Sequence, residues 1–302
     1  MLFRHVLGSA VLICLVSVGS TSCLARRRAI TRRNTGGKTA PTLLVADKDS
    51  LIAAVAREYN AVRNFSASVD MTPARGSVEK NQITEYKDVT GYILFRKPND
   101  IRLIGLYPLV HTTAFDMTSN GIDFKLYLPS KNLFMVGKNE LTKPSTTNTL
   151  ENLRPQHFED AMLVRPIDPG NATIMENLTD EDSAHYILHE IHVGANAQLF
   201  LRRTIWFNRL DLQIERQIIL DDSGNILTDA RYSDWKAWDN VPFPKHLDIN
   251  RPKDDYGVVL DVVKMDINKG VADYKFVLEQ PEGTTLKTLG QPATGAPQGH
   301  TE

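Results

Sequence analysis

Apolar and polar residues change their spacing twice along this chain, and the changes mark its parts. Leu51, Ile52, Val55, Ala56, Tyr59 and Val62 recur at helical spacing behind Asp49 or Ser50 as a cap, which predicts an amphipathic helix over residues 50–63. From Phe65 the period becomes two. Strands are predicted at 65–71, 89–96, 101–106, 113–118 and 122–128, separated by Lys97-Pro98-Asn99-Asp100 and Ser119-Asn120-Gly121. Between Thr142 and Asp182 the alternation lapses into Pro, Asn and Thr, with a short helix from Arg154 to Leu163, which reads as an insertion or crossover. Strands resume at 185–193, 199–207, 212–221, 226–235, 245–249, 258–266 and 274–278, with Asp221-Asp222-Ser223-Gly224-Asn225 as the clearest turn.

This pattern gives roughly 11–12 strands with few helices, no βαβ alternation and no long repeat, so the expected class is mainly β, a curved antiparallel sheet covered by helices. The expected domain runs from 47 to 280. Beyond it, residues 281–302 are rich in Gly, Thr, Pro and Gln and are expected to be disordered.

The first 23 residues read as an export signal. A short basic start (Arg4, His5) leads into an apolar run from Val6 to Val18 and then into Gly19-Ser20-Thr21-Ser22 before Cys23. The run is shorter than the about 20 residues a membrane-spanning helix needs. A small-small-Cys ending resembles a bacterial lipobox, which makes Cys23 the expected lipidation site; Ser20 stands where such motifs usually carry Leu. Simple signal cleavage and an uncleaved anchor are the alternatives. Residues 24–46 then read as a basic flexible tether, in which Arg26, Arg27, Arg28, Arg32 and Arg33 suit anionic headgroups. Leu24 is not the Asp that commonly retains such proteins in the inner membrane, so the expected location is the outer membrane, facing the periplasm.

Composition narrows the function. Lys+Arg 35 against Asp+Glu 36 leaves no basic excess for nucleic acid. Both cysteines, Cys14 and Cys23, precede the domain, so its interior has no disulfide and no thiolate metal site. His185, His189 and His192 with Glu190 are the most tempting metal cluster, but their setting is strand-like, where His189 and His192 point to opposite faces. No nucleophile elbow, catalytic carboxylate pair or phosphate loop occurs, so neither an enzyme nor a cofactor is expected.

The segment Gly91-Tyr92-Ile93-Leu94-Phe95-Arg96-Lys97-Pro98-Asn99-Asp100-Ile101-Arg102-Leu103, followed by Asn120-Gly121-Ile122-Asp123-Phe124-Lys125-Leu126-Tyr127-Leu128-Pro129, resembles the signature hairpin and third strand of the LolA/LolB-like lipoprotein carrier and acceptor superfamily. Residues 226–249, with Val241-Pro242-Phe243-Pro244, are similar to its later hairpin. The resemblance implies an incomplete barrel with helices closing an apolar cavity for acyl chains. Alternation independently puts Ile101 and Leu103 on one side, and Phe124, Leu126 and Leu128 on one side, with Ile93 and Phe95 extending the set. These seven residues are the expected apolar ligand-binding face; plain core is the alternative for each. The expected partners are lipid or the acyl chains of lipoproteins, the membrane through the anchor, and an envelope protein if the core fills itself and the chain serves as a scaffold.

Overall fold

The computed structural model describes residues 42–77, 82–85, 88–140, 145, 149–180 and 183–289. The signal, Cys23 and most of the tether lie outside the described residues. Helix α1 (Lys48–Ala61) starts where Asp47 accepts a 2.7 Å hydrogen bond from the Ser50 amide, two to three residues before the expected cap. It buries Leu51 and Val55.

Among the described residues, fifteen strands form one curved sheet that is not closed into a barrel. Strand β1 (Asn64–Ser77) is its middle. On one side β3 (Val89–Arg96), β4 (Asp100–Leu106), β5 (Thr113–Ser119), β6 (Asp123–Leu128) and β7 (Leu133–Lys138) form an antiparallel meander. On the other, β14 (Tyr256–Ile267) pairs with β1, and β13 (Val241–Arg251), β12 (Ile226–Trp238), β11 (Ile214–Leu220), β10 (Leu199–Asn208), β9 (Ala184–Val193) and β8 (Ala172–Thr179) follow in turn. Strand β2 (Gln82–Glu85) pairs with β1 alone.

Residues 139–171 therefore carry the chain from one end of the sheet to the other, and α2 (Pro155–Met162) lies within that crossing. Its Phe158, Ala161 and Met162 join one core with Phe65, Phe95, Leu126, Leu247 and Leu260. Strands β7 and β8 escaped the sequence reading; β8 lies at the sheet edge and buries none of its side chains, so it carries little hydrophobic alternation.

Two expectations about the C-terminal part are corrected. Residues 274–278 are expected as a strand, but Asp273–Phe276 is a short 3-10 turn within a strap across the helix-free face of β3–β6. Its carbonyls are captured by side chains: Arg96 bonds Val271, Arg102 bonds Lys275 and Val277, Thr118 bonds Phe276, and Lys125 bonds Leu278, all between 2.8 and 3.2 Å. The order then continues past residue 281, since β15 (Thr285–Thr288) pairs in parallel with β7. Val271 and Leu278 bury their side chains at the two ends of the strap and Phe276 lies under the Arg96 guanidinium, but the apolar positions do not alternate, so satisfied backbone groups order the segment without a strand.

Candidate functional site

The seven residues of the expected face do share one face. Ile93 opposes Leu103 and Phe95 opposes Ile101 across β3–β4; Met117 links Leu103 to Leu126; Phe124 and Leu128 flank Leu126 at period two. All seven are buried, five of them at 1% exposure or less. They sit beneath helices rather than around a void. An apolar space where α1, α2 and β12–β13 meet measures about 30 Å³ and is lined by Tyr59, Val62, Met162, Trp235 and Phe243 among others. That is room for about one water, well below the about 300 Å³ at which ligand sites begin.

The hairpin that carries the resemblance has a structural job. Lys97, at its turn, donates to the Tyr59 carbonyl at 2.6 Å and lies 3.7 Å from the centre of the Tyr59 ring, capping the last turn of α1 with a cation. Burial lowers the Lys97 pKa. Two positions further, the Asn99 amide nitrogen can be turned to within 3.3 Å of Glu159 on α2. One turn thus touches both covering helices.

Helix α2 is held to the sheet by Phe158, Ala161 and Met162, buried in the core, and by polar contacts at both of its ends. The Tyr232 hydroxyl donates to the Ala161 carbonyl at 2.6 Å, and the Gln217 amide donates to the Asp160 carbonyl at 3.0 Å. At the other end, Arg251 Nη2 lies 3.1 Å from His157 Nε2. An arginine can only donate, so Nε2 accepts and the ring proton sits on Nδ1, which donates to the Tyr256 hydroxyl at 2.7 Å. Burial, then Arg251 and Arg154, hold the His157 pKa well below its ordinary value. Arg251 also binds Asp254 at 2.6 Å and Thr228 at 2.7 Å. After α2, Arg203 of β10 pairs with Glu190 of β9 at 2.6 Å and donates to the Arg165 carbonyl at 2.7 Å. Glu190 in turn accepts from the Asp168 amide and from Asn171.

Two carboxyls at this cover were missed from the sequence. Glu58 lines the small apolar space, with burial pushing its pKa up to about 7. Glu159 is raised to about 7, first by burial, with Arg165 opposing that shift. Its Oε1 accepts from Arg165 at 2.8 Å, while the buried Oε2 has no partner. The available signal was positional: Glu58 falls seven residues after Leu51, on the stripe that α1 buries.

The histidines do not converge. His189 meets Glu176 at 2.9 Å, whereas His192, on the opposite face of β9, meets Asn171 at 3.0 Å. Among the described residues no group of three or more His, Cys, Asp or Glu is arranged to hold a metal ion.

The open, helix-covered sheet is the architecture that the LolA/LolB resemblance implies. No protein-family profile matches the chain, and no curated protein matches it significantly. Among solved structures it is similar to a DUF1329-family protein from Desulfovibrio piger, at 16% identity and a TM-score of 0.49 over 76% of this chain and 95% of that one. It is also similar to a LolA-superfamily protein from Nitrosomonas europaea, at 14% identity and a TM-score of 0.47 over 75% of this chain and 97% of that one.

Proposed function

We propose that this chain is an envelope protein that takes up acyl chains, from lipids or lipoproteins, on the sheet face beneath α1 and α2. One observation carries the reading. An open sheet presents a continuous apolar face, and a helix of only eight residues lies against it, held by three core side chains, Phe158, Ala161 and Met162, and by exchangeable hydrogen bonds from Gln217 and Tyr232. Lifting α2 exposes Ile93, Phe95, Ile101, Leu103, Phe124, Leu126 and Leu128, and each buried methylene of an incoming chain contributes about 0.8 kcal/mol. Closed, the site is filled by its own side chains, so α2 acts as a lid. Lipidation at Cys23 and the arginines that follow it would hold the protein on a membrane surface.

The small interior space favours a second reading: a scaffold lipoprotein whose core stays filled and whose surface binds an envelope partner. Titration of delipidated full-length protein with a fluorescent fatty acid separates the two. Under the first reading the probe saturates at micromolar concentration, and Tyr232→Phe, which removes the bond to Ala161, binds it faster. No saturable signal from either protein leaves the scaffold.

A further inference from the structure

A depression of about 430 Å³ opens on the face opposite the helices. Its residues alternate with the core: on β12, Ala230 and Tyr232 face α2, while Asp229, Arg231 and Ser233 face away. Register aligns Trp206 with Arg216, Arg216 with Arg231, Arg231 with Asp248, and Ser233 with His246 across β10–β13. The depression exists because the sheet splays there. Pairing of β11 with β12 begins only at Arg216 and Arg231, and at Ile214 the gap is bridged instead by the Trp235 indole donating to its carbonyl at 3.0 Å. A register slip between Trp206 and Phe207 adds to the opening.

The walls are polar, with more carboxylates than guanidiniums. Arg216 grips the buried Asp229 through two 2.7 Å bonds, and Arg231 reaches the same carboxylate at 3.1 Å and Asp248 at 3.7 Å. His185 is fixed by Glu215 at 2.6 Å and also meets the Trp206 ring edge-on, with centroids 5.5 Å apart. His246 is fixed by Asp261 at 2.9 Å. Two guanidiniums face the four carboxylates of Asp229, Asp248, Glu215 and Asp261, so the cleft offers no positive excess to a phosphate or other anion, and each carboxylate is already paired with a guanidinium or an imidazole rather than free to hold a cation. What remains is a ring of donors and acceptors beside one indole, in which Arg216, Arg231, His185 and His246 are already held by partners and so lose little freedom on binding.

That combination suits a neutral molecule dense in hydroxyl groups with an apolar C–H face, which stacks on an indole while its hydroxyls bridge guanidinium, carboxylate and imidazole. We propose that this cleft binds a short neutral oligosaccharide, with Trp206 as the stacking platform and Arg231, Ser233, His246 and Asp248 as its hydrogen-bonding rim. The site is separate from the face beneath α2 and does not rest on acyl uptake.

Calorimetry and saturation-transfer NMR on the full chain, kept in a detergent without sugar headgroups, test this with chitotriose and maltotriose as probes and inorganic phosphate and phosphocholine as controls. At least one trisaccharide is expected to bind saturably at millimolar concentration or below, with the strongest transfer to ring C–H protons. Trp206→Ala should weaken it by at least about tenfold, or about 1.4 kcal/mol. Arg231→Gln, at a half-exposed side chain that keeps the fold intact, should weaken it similarly without changing the melting temperature. The proposal is overturned if neither trisaccharide binds, if binding survives Arg231→Gln unchanged, or if phosphate or phosphocholine binds more tightly than both sugars.

Discussion

Replacing Glu159 by Gln should make the protein more stable at neutral and alkaline pH and leave it nearly unchanged in acid. The carboxyl sits on α2 with its side chain 1% exposed, one oxygen on Arg165 and the other without a partner. Its pKa is about 7 in the folded protein against an ordinary 4.5. A raised folded value means that the folded state holds the proton more tightly than the unfolded chain does. The associated stability is therefore fully present below about pH 4.5, declines as pH rises, and is gone above about pH 7. The difference of about 2.5 units, at 1.36 kcal/mol per unit, corresponds to about 3 kcal/mol. Gln never ionises, so it avoids that loss, but it gives up the ion pair with the half-exposed Arg165, worth about 0.5–1 kcal/mol. A net gain of about 2 kcal/mol is expected at about pH 8. Urea unfolding of both proteins, followed by tryptophan fluorescence across the pH range, measures the difference directly, with equal m-values as the control. Glu58 titrates in the same window but is common to both proteins and cancels. A difference that stays flat with pH, or a variant less stable than wild type at pH 8, would refute the reasoning.

His157 should show the opposite slope: its folded pKa is depressed, so its contribution is present above the ordinary 6.5 and lost as pH falls, and His157→Gln should flatten the acid limb of the stability curve. An unchanged acid limb would mean that the imidazole is not excluded from protonation. Phe95→Ala, at a fully buried ring 5.4 Å from Phe65, should cost about 3–5 kcal/mol by thermal melting, and a smaller loss would indicate a looser core than the structure has. Arg203→Met strands the Glu190 carboxylate beside the crossing segment and should cost about 3–5 kcal/mol, against near-neutrality if that pair is dispensable. Cys23→Ser should abolish labelling by radioactive palmitate in growing cells, and persistent label on the variant would rule out that cysteine as the acylated residue.

The helices and most strands were legible because their signals are local. Alternation at Val89–Arg96 and Asp123–Leu128 has only two outcomes for a half-buried strand, and pairing at the Lys97-Pro98-Asn99-Asp100 turn fixes which residues face each other. The same alternation placed all seven residues of the apolar face on one side of the sheet. Whether that face encloses a cavity was not legible, because filling depends on how α2, reached through the crossing from residue 139 to 171, docks onto strands from both halves of the chain. The strap over β3–β6 was also hidden, since Arg96, Arg102, Thr118 and Lys125 hold it mainly by its backbone carbonyls, and only Val271 and Leu278 at its ends are buried, which leaves no period to read. The charged cleft beside Trp206 depends on a splay between β11 and β12 that no residue in either strand announces. Local periodicity decides which way a side chain points; only the packing of distant elements decides what it meets there.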